Sequence, residues 1–156
     1  MVRIRRFKEA DAQAVSALIV ETLRQSNSRD YPPEMIDEIA DRMQSADILS
    51  RAGWTHFYVA EDGDDLVACG AIGPYWGKED ESSLFTIFVH PSRQGQGIGR
   101  RIVETLEADE YALRARRIEV PASITGLPFY RKLGCSFKPG CEKPDAERLY
   151  RLEKFR

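Results

Sequence analysis

The chain is poor in the residues on which much enzyme chemistry is built. It has two histidines and three cysteines among 156 residues. Cys69, Cys135 and Cys141 are odd in number and form no C-x-x-C pair. That argues against a disulfide framework and against zinc, and no metal is expected; reduced thiols in a cytoplasmic protein fit better. No apolar run is long enough to span a bilayer. The opening M-V-R-I-R-R-F-K lacks the apolar stretch of a signal peptide, so none is expected. Charge of one sign is also missing: 23 Lys and Arg against 25 Asp and Glu leave a net charge of -2. Nothing in that balance draws the chain to nucleic acid or to acidic membranes. Linkers, repeats and low-complexity segments are absent. What remains is a mixed sequence with 42% hydrophobic residues. It reads as a single domain over 1-156, able to bury about two-thirds of its unfolded surface.

Against these absences stands residues 84 to 102, L-F-T-I-F-V-H-P-S-R-Q-G-Q-G-I-G-R-R-I. A β-branched and aromatic run ends at Val89, Pro91 marks a turn, and Gly95, Gly97 and Gly99 precede a helical pattern. The first turn of a helix leaves backbone N–H groups unpaired and carries partial positive charge, so an anion such as a pyrophosphate satisfies it. Glycine lets the backbone come close to that anion. Arg93, Arg100 and Arg101 flank the loop with full charges. A Walker A loop would need Gly-Lys-Ser/Thr where Gly99-Arg100-Arg101 stands. A Rossmann fingerprint would need glycine at Arg100, although Glu119 lies about where its ribose-binding acid falls.

Apolar spacing divides the rest. Val2 to Arg6 reads as an edge strand. Lys8 to Gln25 reads as a helix with Ala14, Val15, Leu18, Ile19 and Leu23 on one face. Ser26 to Tyr31 is a polar break, and Pro32 and Pro33 open a second helix carrying Met35, Ile36, Ile39 and Met43. Phe57 to Ala60 and Leu66 to Ile72 form a hairpin through Asp62 to Asp65. Gly73 to Ser83 reads as a loop, Leu84 to Val89 as a central strand, and Ile98 to Leu113 as one helix. Arg117 to Val120 is a short strand, and Thr125 to Leu133 a helix capped by Gly134. Ser136 to Lys138 and Arg148 to Phe155 complete the sheet. This order gives an α/β fold with a mixed, mainly antiparallel sheet flanked by helices.

Two segments resemble one family. Gln94-x-x-Gly97-x-Gly99 matches the Arg/Gln-x-x-Gly-x-Gly/Ala signature of the GNAT superfamily of N-acetyltransferases, and the preceding F-V-H-P is similar to that family's fourth strand and turn. P-F-Y-R-K-L-G-C-S-F at 128 to 137 resembles its second signature, at a fitting distance from Gly99. D-Y-P-P-E-M at 30 to 35 is similar to a bacterial subgroup of the same family. The resemblance covers nearly the whole chain. It implies central strands that splay after residues 89 and 117, with coenzyme A wedged between them. It implies acetyl-CoA as cosubstrate, contacted by Phe88, Val89, Gln94, Gly95, Gln96, Gly97, Ile98, Gly99, Arg100 and Ser123. Phe88 and Val89 would offer main-chain amides to the pantetheine arm. Ser123 stands where many relatives carry asparagine, and Gly126 replaces a frequent alanine.

Acetyl transfer to an amine needs a neutral nucleophile and a proton for the departing thiolate. The resemblance puts that acid at Tyr130. Some members place a glutamate base on the fourth strand, where Ser83 falls here. Glu79, Asp80 and Glu81 lie just upstream, and Glu81 is the candidate taken from them, although a solvated acidic loop explains all three. His56 sits at a strand start with the acceptor pocket in reach; His90 fits a turn role. Tyr31, Trp54, His56, Tyr75, Trp76 and the acidic stretch are the candidates for the acceptor side, where a cationic amine would suit aromatics and carboxylates. The R-A-R-R run at 114 to 117 reads as cations at a helix C-terminus. The partner expected is a small-molecule or peptide amine, with no nucleic acid and no membrane; a homodimer is left open. A catalytically inactive coenzyme A sensor, or another acyl-CoA or nucleotide enzyme, uses the same loop and stays open at this point.

Overall fold

Strands β1 (Val2–Arg6), β2 (His56–Asp62), β3 (Asp65–Tyr75), β4 (Lys78–Val89), β5 (Arg117–Ser123), β6 (Ser136–Phe137) and β7 (Leu149–Phe155) form one sheet in the order β1-β2-β3-β4-β5-β7-β6. The computed structural model describes residues 1–156. Every neighbouring pair is antiparallel except β4 and β5, which run parallel. The helices are α1 (Ala12–Gln25), α2 (Pro33–Asp41), α3 (Ser45–Ala52), α4 (Ile98–Glu107), α5 (Glu110–Leu113) and α6 (Leu127–Lys132). None is long and apolar enough to cross a membrane.

Strand alternation sends successive side chains to opposite faces, and each face has its own core. Val15, Ile19 and Leu23 of α1, Ile36 of α2 and Ile48 of α3 pack on Phe57, Val59, Cys69 and Ala71. On the other face Ile102 and Leu106 of α4 and Tyr130 of α6 pack on Ala68, Ile72, Ile118, Val120 and Leu152. Each large side chain fully enclosed here contributes about 1.5–3 kcal/mol relative to exposure.

Several sequence expectations are corrected. Gly73 to Ser83 is no loop: β3 and β4 continue through it and turn over Trp76 (φ 49) and Gly77 (φ 75). A two-residue turn with positive φ at both positions matches the right-handed twist of the strands it joins. The expected helix from Ile98 to Leu113 breaks after Glu107, because Asp109 accepts the Tyr111 N–H at 2.9 Å and starts α5 afresh. Residues 45 to 52, unassigned by spacing, form α3. Its start is fixed by Asp47, which accepts the Gln44 N–H at 2.9 Å. The polar break after α1 is a 3₁₀ turn over Asn27–Arg29 that buries Ser26, Asn27 and Tyr31.

Candidate active site where two strands part

β4 and β5 are paired only through Glu81, Ser82 and Ser83 against Arg117, Ile118 and Glu119. The strands part after Ser83 and Glu119, not after residues 89 and 117 as expected: beyond that pair β4 stays with β3 and β5 stays with β7, so a gap opens in the middle of the sheet. The His90 N–H bonds to the Val67 carbonyl at 2.9 Å. Strand alternation therefore turns the Val89 main chain the other way, into the gap. Phe88 lies in register with Cys69, and its ring packs on the α1–α3 side. Between these ends β4 carries a bulge: pairing jumps from Ala71↔Phe85 to Cys69↔Phe88, and Thr86 takes φ 56. Such a bulge leaves a β4 residue unpaired and re-aims the strand at the gap.

The loop after β4 ends in α4. Gly97 is the cap residue at φ 81, and Gly95 lies at φ 78. No backbone amide from Gln94 through Arg100 donates to any protein acceptor; the first to do so is Arg101, to the Gly97 carbonyl. A row of free donors at a helix start has the chemistry that suits an anion. Gly99 has a separate reason to be glycine: a Cβ there would meet the Phe129 ring at 3.1 Å and Val89 at 3.4 Å. Gln94 does not point its side chain at an anion. Its amide donates to the Val89 carbonyl at 3.0 Å and the Ser26 hydroxyl at 3.1 Å, tying the loop to β4 and α1. Of the flanking arginines, Arg93 is held by Asp62 at 2.9 Å and Arg101 by the Val2 carbonyl at 3.1 Å. Arg100 is exposed and has no protein partner.

Tyr130 lies on α6 beside the gap, its ring enclosed and set edge-on to Phe129 with centroids 5.1 Å apart. Its hydroxyl makes no hydrogen bond in the protein. No buried side-chain polar atom lacks a partner, so this hydroxyl keeps contact with solvent. Burial, with Cys135 and Cys69 nearby, pushes the phenol well above its ordinary pKa, so it carries its proton throughout the neutral range. Ser123, at the end of β5, accepts the Gly126 N–H at 2.9 Å and keeps its own hydrogen to donate. Gly126 is fixed by the same contact: a Cβ would lie 3.0 Å from the Ser123 oxygen and 3.2 Å from the Tyr130 ring.

The closed end of the gap holds an ion cluster. Arg117 donates to Glu81 at 2.6 Å, to Glu119 at 2.8 Å and to Glu153 at 3.0 Å, with the Tyr75 ring against its guanidinium. Desolvation alone would lower the Arg117 pKa, but Glu81 and Glu119 outweigh it and hold the charge on. Glu81 is engaged at both oxygens, by Arg117 and by Lys78 at 3.2 Å. Those bonds hold its carboxyl below the usual range. Glu119 sits directly across the last pair from Ser83, on the same face. Its Oε1 takes Arg117 and Lys138, at 2.8 and 3.2 Å, while its Oε2 has no protein partner and reaches solvent.

The family profile of the acetyltransferase (GNAT) domain matches residues 53–134, from the approach to β2 to the end of α6. The chain belongs to the GNAT family. No curated protein matches this GNAT domain by sequence. Solved structures do match it in fold. PaiA N-acetyltransferase from Thermoplasma acidophilum, in complex with coenzyme A, superposes with TM-score 0.84 at 14% identity, covering 100% of this chain and 99% of that one. A GCN5-related N-acetyltransferase structure from Rhodopseudomonas palustris gives TM-score 0.80 at 20% identity over 99% and 95% of the two chains. A GNAT family acetyltransferase from Brucella melitensis, in complex with acetyl-CoA, gives 0.69 at 21% identity over 99% and 88%.

Not every residue singled out from the sequence of this GNAT domain converges on the gap. His56 lies on the α4–α5 side of the sheet, bonded to Asp109 at 2.8 Å with its ring tilted against Tyr111. Asp109 also accepts the Tyr58 hydroxyl at 2.6 Å. His90 accepts the Ser92 N–H at 3.1 Å and pairs with Glu21, as a turn residue. Arg117 is no helix-end cation but the centre of the buried cluster. Trp76 projects from the β3–β4 turn, 85% exposed. Sequence spacing missed Arg117, Glu119 and Glu153 as a unit. The legible signal was alternation: charged Arg117 and Glu119 share a strand face with apolar Ile118 and Val120 on the other.

Proposed function

We propose that this domain transfers the acetyl group of acetyl-CoA to a primary amine of a small molecule or peptide. The observation that carries the reading is the row of unpartnered amides from Gln94 to Arg100 at the mouth of a gap lined by a proton-bearing Tyr130. These amides and Arg100 suit a pyrophosphate, and the Val89 main chain with the Ser123 hydroxyl suits a pantetheine arm along the gap. Acetyl-CoA brings an activated thioester. As the amine nitrogen bonds to the acetyl carbon and the C–S bond breaks, the Tyr130 hydroxyl donates a hydrogen bond to the sulfur. A thiol of pKa about 8.5 leaves readily as its thiolate, so this hydrogen bond is enough to assist departure, and the thiolate takes its proton as the product leaves. The amine nitrogen sheds its extra proton, and Glu119, with Oε2 free beside Ser83, is the carboxylate placed to take it. Glu81, engaged at both oxygens, is left with a structural role.

Calorimetric titration with acetyl-CoA, followed by thiol release across an amine panel, tests the whole reading. Binding without release on any amine would leave a coenzyme-binding module instead. Tyr130→Phe should cut turnover by about 10²-fold with unchanged acetyl-CoA affinity; unchanged turnover removes Tyr130 from the mechanism. Neutralising an amine of pKa about 10.4 at pH 7 costs ~4.6 kcal/mol, against ~1.4 for an α-amine near 8. Glu119→Gln should therefore slow a lysine-like amine more than an α-amine, and equal slowing of both would remove the base.

A further inference from the structure

One partly enclosed cation beside the gap has no counter-charge. Arg51, in the last turn of α3, is partly enclosed and donates a single hydrogen bond, from a terminal nitrogen to the Thr86 hydroxyl at 3.0 Å. No carboxylate lies within salt-bridge distance of it, although Asp47 stands one turn earlier; that acid caps α3 instead. The other partly or fully enclosed arginines are matched by acids: Arg5 by Asp11 at 2.8 Å, Arg93 by Asp62 at 2.9 Å, Arg117 by Glu81 at 2.6 Å, Arg151 by Asp145 at 2.8 Å. The remaining nitrogens of Arg51 reach solvent, since no buried polar atom is left unpaired. An uncompensated guanidinium in a half-enclosed position bears a desolvation cost with no return inside the protein. Here that cost holds its pKa below the ordinary value.

Its place matters as much as its charge. Thr86 is the positive-φ residue of the β4 bulge, beyond the last β5-paired residue, Ser83, and before Val89. The amide loop that suits the coenzyme's phosphates lies past Val89, so Arg51 is not needed for them. Beside the guanidinium's strand, Phe85 meets the edge of Trp54 with centroids 5.1 Å apart, and Trp54 is 48% exposed. A half-exposed indole next to an unanswered cation suits a ligand with an apolar body and an anionic end.

We propose, building on the amine-acetylation reading, that Arg51 receives an oxyanion borne by the acceptor, so that the substrate is an amine carrying a carboxylate or phosphate. The planar guanidinium fork fits either group in two-pronged fashion. The amine then reaches toward the closed end of the gap while the anion stays at the bulge.

The test compares ω-amino carboxylic acids and ω-aminoalkyl phosphates with the neutral amides of the same acids. Wild-type protein should show KM at least tenfold lower for one anionic series than for the amides, and which series wins identifies the anion. Arg51→Ala should raise KM for that series at least tenfold and leave KM and kcat for the amides unchanged. Arg51→Lys should recover part of the preference. Equal KM for anionic and neutral acceptors in the wild type would overturn the proposal. So would an Arg51→Ala effect shared by both series, because a guanidinium that only pins the bulge moves both alike. If no amine is acetylated, calorimetry of the same compounds with coenzyme A-saturated protein decides separately. Anion binding that disappears in Arg51→Ala upholds the site while the transfer reading fails; binding that ignores Arg51, or none, overturns the site as well.

Discussion

At the scale of single residues, the three loop glycines do different work. Gly95 and Gly97 sit in left-handed backbone and keep amides turned outward; Gly99 is needed for closeness, with the Phe129 ring 3.1 Å from where a Cβ would stand. Gly99→Val must push α4 away from α6 and Val89. Overpacking of this kind costs about 1–3 kcal/mol, and displaced amides should also weaken acetyl-CoA. Urea unfolding and calorimetric titration check both; a variant with wild-type midpoint and affinity would show that the contact yields freely. The glycine pattern was legible in sequence because backbone geometry is written in residue type. The individual arginines were not. Arg93, Arg100 and Arg101 look alike in the chain, yet two are occupied by Asp62 and the Val2 carbonyl, contacts made across more than thirty residues of sequence.

At the scale of elements, the junction of α4 and α5 turns on Asp109. Burial alone would raise its pKa, but hydrogen bonds from Tyr58, the Tyr111 N–H and His56 outweigh it, and the carboxyl lies below its ordinary 3.8. A depressed folded-state pKa gives stability that is complete above the unfolded value and is lost as pH falls through the folded one. Asp109→Asn should therefore destabilise at pH 7 by about 1–3 kcal/mol, and should shrink the further loss seen on acidification below about pH 4. Urea titrations at both pH values test this; an acid loss as large in the variant as in the wild type would place its source elsewhere. Elements with one apolar stripe, such as α1 and β2, could be read from spacing. The β3–β4 hairpin could not. Lys78, Asp80 and Glu81 are charged because they pair with other ions rather than facing a core, and polarity there mimicked a loop. α3 was missed because eight residues offer barely two turns of periodicity.

At the scale of the whole molecule, the sheet is incomplete by design of its topology: the only parallel pair is also the shortest central one, three residues on each strand. A ligand that fills the opening and caps the α4 amides binds the folded chain alone. At 100 times its dissociation constant it should add about 2.7 kcal/mol. For a domain of this size that raises Tm by roughly 5–10 °C. A melt with saturating acetyl-CoA checks it, and an unmoved transition would remove the gap as the binding place. Tyr31 illustrates coupling on the same scale. Its hydroxyl accepts the Ile124 N–H at 2.9 Å and donates to the Arg148 carbonyl at 2.8 Å, so the α1–α2 connection, the end of β5 and the approach to β7 are tied at one oxygen.

The position of that opening has a consequence for the protein among its own copies. A strand with vacant main-chain groups at the rim of a sheet invites another molecule to zip on, and rims are where such association begins. Here the vacancy lies between β4 and β5, with β3 on one side and β7 on the other. A foreign strand would have to thread inward between two walls, whereas a slender flexible chain slides in from the open mouth. The fold can thus keep a hydrogen-bonding template permanently ready for a small guest without exposing it to polymerisation.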